Sequence, residues 1–175
     1  CPGTGLAITE YNWGADNGAS SALAQAEALA IFAREGVDVA ARWVAPLENS
    51  LVERAFRLFL DFNGLGAQVT GDSVRTLSSN IDSLGAYALH APGSKIFVLL
   101  FNKSTTSNIA SINIGASLSG AWTLYQFTGS SNLGIAATGS INGSSIITPG
   151  LPARSASLLV LPDSDRIFAH GFDVP

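Results

Sequence analysis

The sequence predicts a two-part fold, in which a short parallel α/β segment is followed by an antiparallel β-sandwich. The main observation is a change of pattern near residue 65. Strand-like and helix-like runs alternate before it, and short apolar runs separated by Gly, Ser, Thr and Asn follow it. Because 47% of the 175 residues are hydrophobic and only 13% are charged, there is enough apolar material for a packed core. We therefore predict two domains, at residues 1–64 and 65–162, and a C-terminal tail at residues 163–175.

The first domain is predicted to begin with a strand and a helix. Residues 5–11 form a short apolar run after Pro and Gly, which indicates a buried strand. Residues 20–35 carry an apolar stripe at helical spacing, and the Gly36 that follows them is typical of a helix end.

A second strand and a second helix complete this domain. Residues 37–43 alternate so that Val37, Val39, Ala41 and Trp43 share one face. Residues 50–63 open with Ser and Glu three positions apart, the spacing of a capping box in which each side chain satisfies a free backbone N–H. The order strand, helix, strand, helix is the repeat of a parallel α/β fold.

The second domain is predicted to contain six strands, at residues 84–90, 95–102, 110–114, 122–127, 144–148 and 154–161. Turn signals that contain Pro and Gly separate several of these strands. Short strands at such close spacing predict an antiparallel sandwich. Residues 129–145 are rich in Gly and Ser, and we expect a surface loop or a weak strand there.

Charge, hydropathy and histidine placement exclude several kinds of partner. The net charge is −4 and no run of Lys or Arg is present, so we expect no nucleic-acid partner. No apolar stretch approaches the roughly 18–20 residues of a membrane span, so we expect no membrane partner. His90 and His170 are isolated in the sequence, without further ligand residues at the right spacing, which predicts neither a metal site nor another cofactor.

Glu10 is the first candidate for chemistry because it ends an otherwise apolar strand. Simple alternation places Leu6, Ile8, Glu10 and Asn12 on one face, where a carboxylate is costly to bury unless it is paired. Ligands of parallel α/β folds bind at the C-terminal ends of strands, which favours a catalytic role. The alternative is a structural Glu that is paired with Arg42 at the end of the second strand.

The residues around Glu10 suit a sugar ligand. Tyr11, Asn12 and Trp13 supply a hydroxyl, an amide and an aromatic face. Arg42 and Trp43 end the second strand and should lie at the same rim as Glu10. Trp43 then forms either a platform under a sugar ring or a core contact between strand and helix.

The motif ITEYNWG at residues 8–14 closely resembles the nucleophile motif of glycoside hydrolase family 44. Members of that family are endo-β-1,4-glucanases, and several also act on xyloglucan or related β-glucans. The resemblance runs from about residue 5 to residue 161. It continues at residues 24–38, 41–43, 59–64, 71–74 and 101–103.

This resemblance implies a fold, a mechanism and a set of site residues. The chain would form the last two βα units of a TIM-like (β/α)8 barrel followed by an antiparallel β-sandwich. Glu10 would be the nucleophile of a retaining hydrolase that is secreted and acts on a β-glucan polysaccharide. Substrate contacts are implied or expected for five residues near it: Tyr11, Asn12, Trp13, Arg42 and Trp43.

The chain departs from the family in one important respect. The acid/base of the family belongs to an Asn-Glu-Pro motif that this sequence lacks. Together with the start at Cys1, which is neither a Met nor part of a signal peptide, this predicts a truncated N-terminus. We therefore expect a fragment that is inactive alone and requires the missing N-terminal part of the barrel.

A non-catalytic carbohydrate-binding or structural β-sandwich module is the alternative function. In that case Trp122, Tyr125 and Phe127 would form an aromatic platform for a polysaccharide. The same residues also fit the alternation of an ordinary half-buried strand.

Overall fold

The computed structural model describes residues 3–91, 93, 95–143 and 147–163. Within these residues the protein is mostly β-structure, with two helices and one large antiparallel sheet. Neither of these two helices is long and apolar enough to cross a membrane. Cys1 and nearly all of the predicted tail at residues 163–175 lie outside the described residues.

The first segment has the predicted order of elements. These are β1 (Ala7–Tyr11), α1 (Ala19–Arg34), β2 (Val39–Arg42) and α2 (Leu51–Leu60). The two strands pair in parallel, as a strand–helix–strand connection requires. Gly36 follows α1 with a φ of 67°, a left-handed conformation that glycine adopts without strain.

The start of α2 is fixed by side-chain caps. The Ser50 hydroxyl accepts a hydrogen bond from the Glu53 backbone N–H, as predicted, at 3.1 Å. The Glu53 carboxylate reaches back one residue further than a capping box requires, because it accepts from the Asn49 N–H instead of the Ser50 N–H. The Ser50 N–H bonds instead to the Leu47 carbonyl.

The remaining strands follow in chain order: β3 (Asp72–Val74), β4 (Leu84–Ala91), β5 (Lys95–Asn102), β6 (Asn108–Ile109), β7 (Leu118–Phe127), β8 (Gly134–Gly143), β9 (Gly150–Leu151) and β10 (Ser155–Pro162). Six of them form an antiparallel sheet in the order β3-β4-β5-β10-β7-β8. The short strands β6 and β9 pair with each other beside it.

The strands of the second domain differ from the prediction at residues 110–114 and at β3. Residues 110–114 form no regular strand, and only Ile112 makes a bridge, to Ile147. For residues 129–145 the strand alternative is confirmed, since they contain the ten-residue strand β8, which pairs along β7 despite its Gly-rich composition. Strand β3 was not predicted, and its three residues pair with β4 at the edge of the sheet. Residues 144–146 of another predicted strand lie outside the described residues.

The middle strands β5 and β10 of the large sheet are buried on both faces. On one face, α1 and α2 bring Ala26 and Leu58 against Phe97 and Phe101 of β5. Alternate residues of β5, such as Val98, point into a second cluster on the opposite face, with residues from β7 and β10. The core that the helices share with the sheet therefore crosses the predicted domain boundary at residue 65.

A polar contact also joins α1 to the large sheet. One oxygen of the Glu27 carboxylate accepts from the Tyr87 hydroxyl and from the Lys103 ammonium, each at 3.1 Å. Burial, and then the negative charge of Glu27, raise the pKa of Tyr87 to about 12. Gly85 leaves room for this contact, since a Cβ there would lie 2.2 Å from the Glu27 oxygen.

Candidate functional site

The C-terminal ends of β1 and β2 meet at one rim. Tyr11 is the Cα partner of Arg42, and the Trp43 N–H donates to the Tyr11 carbonyl at 2.7 Å. Glu10, Trp13 and Trp43 are all exposed there. The parallel pairing thus brings the predicted site residues of the two strands to the same edge.

Strand β1 has an irregular register at the candidate nucleophile. Ile8 pairs with Ala40 and Tyr11 with Arg42, so β1 has one more residue than β2 over this stretch. A bulge of this kind lies at Thr9 and Glu10 and interrupts the alternation of side chains. The simple prediction of one common face through this stretch is therefore wrong.

The prediction that the first strand is buried is also wrong, and its partner strand is exposed as well. Leu6, Ala7 and Val39 are exposed in the described structure. The reason is that α1 and α2 bury their apolar residues against the six-stranded sheet instead. The pair β1–β2 has no further neighbouring strand among the described residues.

Arg42 does not pair with Glu10. Its Nη2 atom lies 2.5 Å from Asp16 Oδ1, and its Nη1 atom donates to the Val44 carbonyl at 2.5 Å. This ion pair is largely shielded from solvent, with exposed side-chain fractions of 5% for Arg42 and 13% for Asp16. The alternative of a structural Glu10 that is paired with Arg42 is therefore wrong, because the Arg42 guanidinium forms its ion pair with Asp16. The Glu10 carboxylate forms no hydrogen bond or ion pair with the residues that the structure describes.

The polar groups of Tyr11 and Asn12 are used inside the protein. The Tyr11 hydroxyl accepts from Gln25 Nε2 at 3.0 Å, and its ring meets Phe32 edge-on at 5.3 Å. The Asn12 amide donates to the Trp43 carbonyl at 2.7 Å and accepts from the Gly14 N–H at 2.8 Å. These bonds hold the rim together, and contact of Tyr11, Asn12 and Arg42 with substrate stays a prediction.

Two indole rings remain available at the rim. Trp43 is 60% exposed, so the alternative of a core tryptophan is wrong. Trp13 is 45% exposed, and its ring lies 6.1 Å from the ring of Tyr11. An exposed carboxylate with two exposed indoles is an arrangement that suits a sugar chain, because aromatic faces pack on its C–H groups.

The predicted aromatic platform on β7 is not formed. Tyr125 and Phe127 pack into the core on the helix side of the sheet, where Tyr125 lies 4.9 Å from Phe62. Trp122 belongs to the opposite face and covers its cross-strand partner Gly139. The three rings therefore do not share a surface, which removes the main feature of the carbohydrate-binding alternative.

A cleft elsewhere in the described structure is less suited to bind a sugar. It has a volume of about 670 Å³ and lies on the face of the sheet away from the helices, with an aliphatic floor that includes Val98 and Ile112. None of the residues that line it is Trp, Tyr or Phe. His90, isolated in sequence, lies 3.2 Å from Asp163, and no group of three possible metal ligands occurs among the described residues.

Asp16 is the site residue that sequence reasoning did not assign. It follows β1 on the same loop as Trp13, and its two oxygens reach Arg42 and the Leu47 N–H. The only signal for it in the sequence was an acid just after one strand and an Arg at the end of the next. Such a pair becomes informative only when the loops are known to converge.

Comparison with curated proteins finds relatives among polysaccharide hydrolases, although no protein-family model matches the chain. The chain is 31% identical over 169 residues to endoglucanase A of Paenibacillus lautus, which covers 91% of the chain and 24% of that protein. It is also 31% identical over 105 residues to a β-mannanase/endoglucanase A of Caldicellulosiruptor saccharolyticus, covering 59% of the chain and 8% of that protein. The chain thus spans a quarter or less of these curated relatives.

Solved structures agree in sequence and in fold. A bifunctional glucanase-xylanase from a metagenome library is 35% identical, with a TM-score of 0.86 over 93% of this chain and 32% of that one. A family 44 glycoside hydrolase endoglucanase from Clostridium acetobutylium is 30% identical, with a TM-score of 0.83 over 92% of this chain and 33% of that one. A family 44 xyloglucanase from Paenibacillus polymyxa, solved with xyloglucan, is 25% identical, with a TM-score of 0.80 over 93% and 33%.

Proposed function

Since the chain is similar to the C-terminal portion of glycoside hydrolase family 44 in both sequence and fold, we propose that it carries the nucleophile of a retaining β-1,4-glucanase. In this proposal residues 1–64 form the last two βα units of a TIM-like (β/α)8 barrel. The six-stranded sheet and its short partner strands form the β-sandwich that follows the barrel.

The proposal rests mainly on the surroundings of the Glu10 carboxylate. Its carboxylate is exposed, has no partner among the described residues and lies at the bulged end of β1. Bulges are frequent next to active sites, where they redirect a side chain. The exposed rings of Trp13 and Trp43 at the same rim supply the apolar faces that a sugar chain needs.

The proposed reaction is a double displacement. The Glu10 carboxylate attacks the anomeric carbon while a second carboxylic acid protonates the departing glycosidic oxygen, which leaves a glycosyl ester on Glu10. The second carboxylate then takes a proton from water, whose oxygen attacks the same carbon and releases Glu10. The two carboxyl groups of retaining enzymes lie about 5–5.5 Å apart. We assign the second group to the part of the barrel that this sequence does not contain.

The exposed apolar strands support the idea that further barrel strands cover this segment. Leu6, Val39 and Leu47 are all more than half exposed, although aliphatic side chains of this size are usually buried. Two parallel strands cannot close a barrel, which typically needs about 250 residues. The chain also spans only about a third of the solved relatives.

The proposed substrate is a β-1,4-linked glucan such as cellulose or xyloglucan, in line with the names of the family 44 neighbours. Such polymers are too large to enter a cell, so we place the activity outside it.

The test is hydrolysis of carboxymethylcellulose and xyloglucan by the complete enzyme that carries this segment. Glu10→Gln should abolish the release of reducing ends.

A matched control is available at the other end of the same strand pair. The Asp38 carboxylate accepts from the Leu6 N–H at 2.8 Å, where β1 and β2 begin. Asp38→Asn should therefore retain hydrolysis. Full activity of Glu10→Gln on both polymers would overturn the proposed function.

A further inference from the structure

Asp16 joins three parts of the rim through its own polar atoms. Oδ1 lies 2.5 Å from Arg42 Nη2, and Oδ2 accepts from the Leu47 N–H at 2.8 Å. Its backbone carbonyl accepts from the Val52 N–H at 3.0 Å, in the first turn of α2. One residue of the loop after β1 therefore fixes the end of β2, the loop that follows β2 and the start of α2.

Arg42 extends this connection to the backbone around Trp43. Nη1 donates to the Val44 carbonyl at 2.5 Å, while Nη2 also lies 3.4 Å from Asn12 Oδ1. The Asn12 amide in turn donates to the Trp43 carbonyl at 2.7 Å. The carbonyl of Trp43 and the carbonyl that follows it are thus both held by this network.

The backbone at Val44 needs such support. Its φ is 35°, in the left-handed region that a β-branched residue rarely adopts. Strained backbone of this kind persists only where the surrounding contacts hold it, and it clusters at binding and catalytic sites. Val44 is itself exposed, so the described contacts that hold it act on its backbone and not on its side chain.

We propose that Asp16 and Arg42 are positioning residues, which hold the Trp43–Val44 turn so that the Trp43 ring keeps a fixed place at the rim that carries Glu10. This inference rests on the proposed function, because the ring matters only if a sugar chain binds there. The planar guanidinium suits the task, since Nη1 and Nη2 reach acceptors on different segments in a fixed geometry. The charge of Asp16 compensates that of the shielded guanidinium. In this role Arg42 acts on the reaction through the Trp43–Val44 turn.

The first test uses this chain and a spectroscopic signal. We expect Asp16→Asn to shift the indole N–H resonance of Trp43 and the amide resonance of Val44 in a ¹H–¹⁵N spectrum. Asp38→Asn is the control, because the Asp38 carboxylate also accepts from a backbone N–H, that of Leu6. This variant should leave both resonances in place. Unchanged Trp43 and Val44 resonances in folded Asp16→Asn would overturn the inference.

Arg42→Lys serves as a second variant if Asp16→Asn does not fold. Lysine keeps the charge beside Asp16. Its single ammonium does not reproduce the two guanidinium nitrogens, one of which donates to the Val44 carbonyl. We expect a folded protein with the same two resonances displaced. Resonances identical to the unsubstituted protein would contradict the proposed role of the guanidinium.

The second test measures catalysis by the complete enzyme on xyloglucan. We expect Asp16→Asn and Arg42→Lys to lower kcat by about 10- to 100-fold, because a small misplacement of a positioning group has effects of that size. KM should change much less. Because a loss of folded enzyme would also lower the apparent kcat at constant KM, kcat is calculated per folded enzyme, with the folded fraction measured by circular dichroism. If Glu10→Gln abolishes turnover while both positioning variants keep full kcat, only this inference fails. If Glu10→Gln stays active, the proposed function fails.

Discussion

The guanidinium of Arg42 lies 2.5 Å from the carboxylate of Asp16 and leaves Glu10 without a cationic partner among the described residues. This relationship separates two carboxylates that the sequence places only six residues apart on the same rim. Asp16 is shielded and paired, whereas Glu10 is exposed and available to a ligand. The two acids therefore have different environments, as expected when one has a structural role and the other a chemical one.

The chain alone should not hydrolyse β-glucan. It contains the proposed nucleophile but no residue that we assign as acid/base, and both groups are needed for the two displacement steps. The measurement is release of reducing ends from carboxymethylcellulose by the purified 175-residue chain. Turnover that disappears in Glu10→Gln would contradict this prediction.

Trp43→Ala should impair catalysis more than folding. The ring is 60% exposed, so its removal should change the free energy of unfolding by no more than about 0.5 kcal/mol, as for most surface substitutions. In the complete enzyme we expect a clear loss of kcat/KM on xyloglucan with the melting temperature nearly unchanged. Trp122→Ala is the contrasting control, because that ring packs against the core and its loss should lower the melting temperature. A lower melting temperature with normal kinetics in Trp43→Ala would favour a structural role.

Gly139→Ala should destabilise the large sheet. A Cβ at this position would lie 2.5 Å from Cζ2 of Trp122, on the neighbouring strand. Forcing extra volume into such a contact costs roughly 1–3 kcal/mol, measured as the free energy of unfolding in urea. Gly134→Ala on the same strand is the control, since a Cβ there meets no atom within 4 Å. Equal stability of the two variants would show that the ring moves aside freely.

Tyr87 should make the protein sensitive to alkali. Its pKa is raised to about 12 in the folded protein, from 10.0 for an ordinary tyrosine. Above pH 10 the unfolded chain loses this proton while the folded protein keeps it, so stability falls as the pH rises toward 12. Tyr87→Phe should reduce the slope of stability against pH in this window. Tyr125→Phe should keep the slope, because Tyr87 is still present, and an equal reduction in both variants would contradict the assignment.

Local patterns predicted much of the fold and the place of the site. The helices, the Ser50 cap and the two parallel strands follow from spacing within short segments. The position of Glu10 at a strand end follows from the same spacing. For strand β8 the sequence left a loop and a weak strand as alternatives, because its stability comes from pairing with β7 and not from its Gly-rich composition.

The contacts of the rim could not be predicted from local patterns. The pairing of Arg42 with Asp16 depends on how two loops converge, and the bulge at Glu10 depends on the register between two strands. The exposure of β1 and β2 depends on which surface α1 and α2 cover, since the same apolar stripe fits either sheet. In each of these three cases, tertiary packing selects one of several partners whose local sequence patterns are similar.

The most direct test of the central claim is the product that Glu10→Ala forms with azide in the complete enzyme. If Glu10 is the nucleophile, the variant should be inactive on an activated β-glucoside, and azide should restore turnover. Azide would attack from the face that the carboxylate vacated, opposite the leaving group, so the product should be an α-glycosyl azide. A β-glycosyl azide, or an enzyme that stays active without azide, would contradict the assignment of Glu10 as the nucleophile.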